Sequence, residues 1–181
     1  MRVSRDLFAE EGYAPVSLET IVSACGLTKG ALYHHFSCKA ELFEAVLEEE
    51  ARRLSQEVAA ALEKSQDAWS GARAGVRTFL RASQEPAVQR IMFVDGPSVL
   101  GWQRVREIES PHGLSLLRNV LGALVKAGEI PRSGDTNVLA HLLLGALTEG
   151  ALMIARGEDA RTVEKEVLRL VEGLAKRPHS S

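Results

Sequence analysis

Apolar residues recur along this chain at three- and four-residue spacing and never in sustained alternation, so the pattern predicts helix after helix and no strand. Leu18, Ile21 and Val22 share one face of a short helix over 18–24, with Ser17 as the N-cap whose hydroxyl oxygen can accept from a free first-turn N–H. Gly26 then permits a tight turn. Thr28 can cap a second short helix over 28–35, with Leu32 facing inward and Leu27 and Phe36 flanking it. Two short helices joined by a glycine turn form a helix-turn-helix.

Farther on, the stripe Leu42, Phe43, Val46, Leu47, Ala51, Leu54, Val58 and Leu62 predicts a long amphipathic helix over 38–64. A fifth helix over 67–83 buries Ala72, Val76, Phe79 and Leu80. Pro86 opens a short sixth, and Asp95, Gly96 and Pro97 interrupt the chain before a segment around Trp102. Ser110 and Pro111 read as an N-cap and first-turn proline of a helix that stops at Gly128. Asp135 or Ser133 starts the next, to Arg156, and Asp159 caps a last one to about Lys176. The architecture predicted is all-α: an N-terminal helix-turn-helix domain over 1–47 and a larger helical bundle over 48–181.

The segment 138–154 is apolar nearly all round and must be covered on every side. It predicts a homodimer in which the last two helices of each subunit pack as a four-helix bundle through Leu143, Ala146, Leu147, Gly150, Val167, Leu170 and Leu174. The plainer alternative is that these helices complete a monomeric core.

The second short helix breaks rules that a purely structural helix would keep. Lys29 puts a positive charge at the positive end of the helix dipole, and Gly30 costs up to about 1 kcal/mol relative to alanine. Such violations gather at functional sites. Both suit a helix whose N-terminus meets a phosphodiester backbone, where Lys29 pairs with phosphate and Gly30 lets the backbones approach; Tyr33 and His34, a turn later, reach phosphate or a base edge.

These residues carry a resemblance. The run LFAEEGYAPVSLETIVSACGLTKGALYHHFSCKAELFEAV resembles the DNA-binding domain of the TetR (tetracycline repressor) family of bacterial transcription regulators, with matches at Leu7, Phe8, Gly12, Tyr13, Ser17, Ile21, Gly26, Leu27, Lys29, Gly30, Leu32, Tyr33, Phe36, Lys39 and Leu42. The resemblance implies a dimeric repressor that sets one recognition helix per subunit into the major groove of a double-stranded operator and leaves it when a small-molecule effector fills the C-terminal domain. It implies phosphate contacts from Ser17, Tyr33 and Lys39, and groove-facing places for Thr28, Lys29, Gly30 and His34. Two features depart from the pattern: helix 1 begins almost at Met1, where relatives usually carry a preceding basic arm, and Cys25 and Cys38 stand where small residues are more usual.

Net charge is −2 and the isoelectric point about 6.2, which argues against an indiscriminate nucleic-acid coat. In the first 47 residues Arg2, Arg5, Lys29 and Lys39 face six carboxylates, so DNA binding depends on placement; residues 27–40 hold two lysines, two histidines and no acid. Two cysteines, no apolar run approaching 18 residues and no signal-peptide pattern predict a reduced, cytoplasmic protein with no membrane partner. Adjacent His34 and His35 point about 100° apart on a helix and make no metal pair. Neither metal nor cofactor is expected. No nucleophile and base arrangement or phosphate loop points to an enzyme.

For the effector, the candidate lining residues are Trp69, Phe79, Met92, Phe93 and Trp102, with His112 and His141 as polar anchors. The competing function is a helical small-molecule-binding or adaptor protein that does not bind DNA.

Overall fold

The computed structural model describes residues 1–132 and 135–175, and among these every regular element is helical. Ser133 and Lys176, named above as helix ends, lie outside the described residues. The helices are α1 (Arg2–Glu11), α2 (Leu18–Cys25), α3 (Lys29–His35), α4 (Lys39–Glu63), α5 (Ala68–Ala82), α6 (Pro86–Val88), a π-helical stretch (Gln89–Asp95), α7 (Gly96–Leu100), α8 (Trp102–Lys126), α9 (Thr136–Ala155) and α10 (Ala160–Glu172). Where a local cap sets the boundary, the expected start holds. Ser17, Thr28, Asp67, Asp135 and Asp159 each accept from a first-turn N–H, and Asp67 with Ser70 completes a capping box.

Two expected interruptions are absent. Residues 86–100 run through Asp95, Gly96 and Pro97 without a break, because a π-helical turn absorbs the proline: Gly96 N–H donates to the carbonyl of Ile91, five residues back. Likewise Pro111 does not start a helix but sits inside α8. It removes one backbone bond, a defect of about 3 kcal/mol or more, which the buried side chains Ile108 and Leu114 on either side help to offset.

The chain divides into two compact units, and they do not part at residue 47. The first takes Met1–Arg53 and Glu85–Glu109; the second takes Leu54–Gln84 and the chain from Ser110 onward. The core of the first unit is built on Phe8, Phe43 and Tyr13, whose rings meet at centroid distances of 5.0–6.0 Å, two of the pairs edge to face. Ile21, Leu32, Leu42, Val46 and Leu47 close around them. In the same unit Glu50 is fully buried, taking Arg5 Nε at 2.5 Å and Arg53 Nη2 at 3.1 Å, while Glu85 takes both arginines at 2.7 Å.

The second unit packs α5, α9 and α10 around Ala72, Val76, Leu80, Leu114, Leu121, Leu124, Ala140, Leu143 and Leu147. Gly75 brings α5 against α4, since a Cβ there would lie 3.3 Å from Leu62. α9, at 20 residues, is long and apolar enough to cross a membrane by length and composition alone, which corrects the expectation of no such run. Here Ala140, Leu143, Leu147, Ala151 and Leu152 of that helix are buried within the fold.

That burial also bears on the dimer surface expected above. Leu143 and Leu147 belong to the protomer's own core, and Gly150 lies against Leu80, Val163 and Val167 of the same chain. The apolar side chains turned outward on α9 and α10 are Val138, Leu142, Met153 and Leu170, of which only Leu170 was expected. Ala146, Val167 and Leu174 are half-buried. A helix apolar on nearly every side does not reveal by pattern which face meets its own chain.

Candidate nucleic-acid interface

The reading head is assembled by local chemistry. Ser17 Oγ accepts from Thr20 N–H at 3.0 Å and starts α2; Gly26, at φ +63°, ends it in the left-handed region where glycine carries no steric penalty. Thr28 Oγ1 accepts from Ala31 N–H at 3.3 Å and starts α3 two residues later. Leu32 is the one buried residue of α3, so that single anchor turns the rest of the helix to solvent. Thr28, Lys29, Gly30, Tyr33, His34 and His35 are all exposed.

Gly30 is informative because of what surrounds it. A Cβ at that position would meet nothing within 4 Å, so no contact inside the chain calls for glycine there. The helix bears the propensity cost without gaining close packing in return.

Lys29 is held rather than free. Its Nζ donates to Glu19 Oε1 at 2.7 Å and stands 5.7 Å from the centre of the Tyr33 ring. The bond to Glu19 raises the ammonium above its ordinary pKa and lowers the carboxyl below the usual range. Glu19 had no role in the sequence reading, since ten residues separate it from Lys29; the turn at Gly26 brings α2 and α3 together.

Lys39 makes its contacts within the chain. Its Nζ donates to the carbonyls of Tyr13 at 2.8 Å, Ala14 at 3.2 Å and Val16 at 2.8 Å, and sits 4.1 Å from the Tyr13 ring centre. An ammonium has three donors, and all three are used within the chain. Lys39 therefore pins the turn between α1 and α2 to the start of α4. Ser17, beside that turn, is half-buried and has its oxygen engaged in the cap. At the start of α4, Glu41 reaches back to accept from Ser37 N–H at 2.6 Å.

The expected effector-lining residues fall in both units. Met92 and Phe93 are buried in the first unit and Trp102 is exposed there; Trp69, Phe79, His112 and His141 belong to the second. Trp69 and Phe79 are half-buried against the core of that unit, Trp69 Nε1 donating to Glu129 at 3.3 Å, while His112 is half-buried and His141 exposed.

The geometry has counterparts among known proteins. Residues 1–46 match the model of bacterial regulatory proteins of the tetR family, and residues 69–177 match that of the tetracyclin repressor-like C-terminal domain. The HTH-type transcriptional repressor AcnR of Corynebacterium efficiens is 30% identical over an alignment covering 97% of this chain and 89% of that protein. The Transposon Tn10 TetC protein of Escherichia coli is 24% identical over 78% of this chain and 71% of its own length. A crystal structure of a TetR-family transcriptional regulator from Pectobacterium atrosepticum superposes with a TM-score of 0.82 at 31% identity, covering 98% of this chain and 93% of that one. The alternative of a helical adaptor without a DNA-binding role gives way to these matches. With its reading head and its C-terminal helices both matched, the chain belongs to the tetR family of bacterial regulatory proteins and is a DNA-binding transcription regulator, not an enzyme.

Proposed function

We propose that this regulator is a repressor that binds a palindromic operator as a homodimer and is released by a small molecule held in its C-terminal helices. The observation that carries the DNA half is α3: one buried leucine, an outward face of Thr28, Lys29, Gly30, Tyr33 and His34, and a glycine that the chain's own packing does not require. Lys29, oriented by Glu19, meets phosphate or a base edge; Tyr33 and His34 donate beside it. Ser17 contributes through the N-terminus of α2, and Lys39 holds the turn. The division of labour runs from a reading head over 1–47 to an effector and dimer region over 48–181.

Dimerisation is assigned to the outward apolar face of α9 and α10, namely Val138, Leu142, Met153 and Leu170, with Ala146, Val167 and Leu174 at its margin. Two recognition helices related by a twofold axis then read half-sites about 34–36 Å apart, or more where the operator is longer. The effector is assigned to the second unit, with Trp69, Phe79 and His112 as its first candidates. Acting on DNA places the protein in the cytoplasm.

Release follows from linkage. An effector that binds the DNA-incompetent state more tightly, with a coupling of about 1–3 kcal/mol, shifts the population off the operator. Selection from a random duplex pool is the test of DNA recognition. It should enrich a palindrome whose affinity falls steeply with salt, and Lys29→Ala or Tyr33→Ala should weaken that binding without unfolding the protein. Failure to enrich any sequence, or variants that bind as well as the parent, would overturn the assignment.

A further inference from the structure

The segment around Asp95 does something that neither the reading head nor an effector site accounts for. In sequence it lies inside the region matched by the C-terminal family model, yet it packs with residues 1–53. Asp95 Oδ2 accepts from the backbone N–H of Tyr13 at 2.8 Å, across 82 residues. Tyr13 begins the turn between α1 and α2, and its carbonyl accepts from Lys39 Nζ. One short turn is thus held from both sides, by a carboxylate at its N–H and by an ammonium at its carbonyl.

The surroundings are shaped for this contact. Gly12, next to Tyr13, is buried with φ +86°, and a Cβ there would lie 2.6 Å from Arg90 Nη1 and 3.5 Å from Asp95 Oδ2. Gly96, next to Asp95, has no more room: a Cβ would lie 2.7 Å from Leu47 Cδ1 and 2.9 Å from the carbonyl of Ile91. A glycine on each side of the bond thus leaves room that a Cβ would take, from the Arg90 and Asp95 side chains beside Tyr13 and from Leu47 and the Ile91 carbonyl beside Asp95. Between Arg90 and Asp95 the helix is π-wound, a geometry uncommon in helices and frequent at functional sites. Each residue of an ordinary helix turns about 100°, so tightening the π turn into an α turn would rotate Asp95 away from Tyr13.

We propose that Asp95 is a positioning residue for DNA recognition: through Tyr13 and Lys39 it sets the attitude of the turn between α1 and α2, and with it the pose of α2 and α3. This rests on the DNA-binding reading above. Docking is sensitive to that pose because both recognition helices of a dimer must fit their grooves at once. Phosphate attraction is not, because the charges of the head remain in place.

The experiment compares the full chain with Asp95→Ala and Asp95→Asn, whose amide oxygen can still accept from Tyr13. Three quantities are read: hydrogen exchange of the Tyr13 amide, affinity for the selected operator, and affinity for an unrelated duplex of equal length at the same salt. Asp95→Ala should speed Tyr13 exchange and weaken operator binding, each by about tenfold or more, or about 1.4 kcal/mol, while leaving the unrelated duplex within about twofold. Asp95→Asn should stay near the parent in all three. An Asp95→Ala protein that keeps operator affinity, or loses both duplexes alike, overturns the proposal. If that variant does not fold, the parent still decides: a Tyr13 amide as unprotected as an exposed loop would end the idea. A parent that enriches no duplex removes the DNA-binding reading itself; a protected Tyr13 amide in that case would reduce the bond to a packing contact and the positioning role would fall with it.

Discussion

Replacing Gly30 by alanine should make the protein more stable and a worse DNA binder, two effects of opposite sign from one methyl group. On the folding side, alanine exceeds glycine by about 1 kcal/mol in a helix interior. Gly30 sits in the first turn of the seven-residue α3, so roughly half of that, about 0.5 kcal/mol, is expected. Nothing lies within 4 Å of the new Cβ, so no steric cost offsets the gain. For a chain of this size that corresponds to a melting temperature higher by about 1–2 °C. On the binding side, a methyl group between α3 and the duplex moves the helix outward and lengthens the polar contacts of Lys29, Tyr33 and His34 together. Contacts of this kind contribute about 1–3 kcal/mol each, so operator affinity should fall at least about tenfold. Thermal denaturation and operator titration at one fixed salt concentration check the two halves. Unchanged operator affinity in a stabilised variant would refute the view that Gly30 serves close approach to DNA. A fall in stability would refute the reading of the space around it.

Four further outcomes follow from contacts away from the groove. Lys39→Ala should cost about 1.5–3 kcal/mol in denaturant unfolding, because carbonyls of the α1 to α2 turn lose a charged donor. Its operator binding should keep the parent's salt slope, whereas a direct phosphate contact would lower that slope by about one. Glu50→Ala should destabilise the first unit by about 3–5 kcal/mol, since Arg5 and Arg53 lose a buried partner. In the same cluster burial alone would raise Glu85, but Arg53 and Arg5 outweigh it and hold the carboxyl below its usual range. The stability it contributes is therefore complete above its unfolded pKa, about 4.3, and is lost as pH falls through its lower folded value; an acid titration followed by circular dichroism reads this, and Glu85→Gln should flatten it. Glu109 behaves in the opposite sense. Half-exposed as a residue, it has its carboxyl withdrawn from water, and this burial, against the opposing pull of Arg106, pushes its pKa up to about 7. The folded state then binds the extra proton, so stability should fall as pH rises from about 4.3 to 7. Glu109→Gln should remove that slope, and a stability flat across this range in the parent would contradict the burial of the carboxylate.

What could be read from the residues alone was local chemistry. The starts of α2, α3, α5, α9 and α10 follow from single capping side chains, and the turn at Gly26 from a backbone conformation that glycine tolerates, because each depends on atoms within a few residues. The reading head was legible for the same reason: its motif is contiguous, and the oddness of Lys29 and Gly30 is visible against helix propensity. Elsewhere the deciding partners were distant along the chain. Pro97 and Pro111 read as breaks, yet a π turn and buried neighbours on both sides keep the helices running. Lys39, expected at phosphate, donates to three carbonyls of residues 13, 14 and 16 within the chain. Leu143 and Leu147 lie in the core of the second unit, whereas Leu142 of the same helix faces outward. The sequence by itself determined the helical class, the caps and the DNA-reading motif, since those are set by neighbours at three- and four-residue spacing. Only the tertiary structure decided which charges stay free, which apolar face remains open, and that Asp95 holds Tyr13, since each is a contact between elements that sequence spacing does not encode.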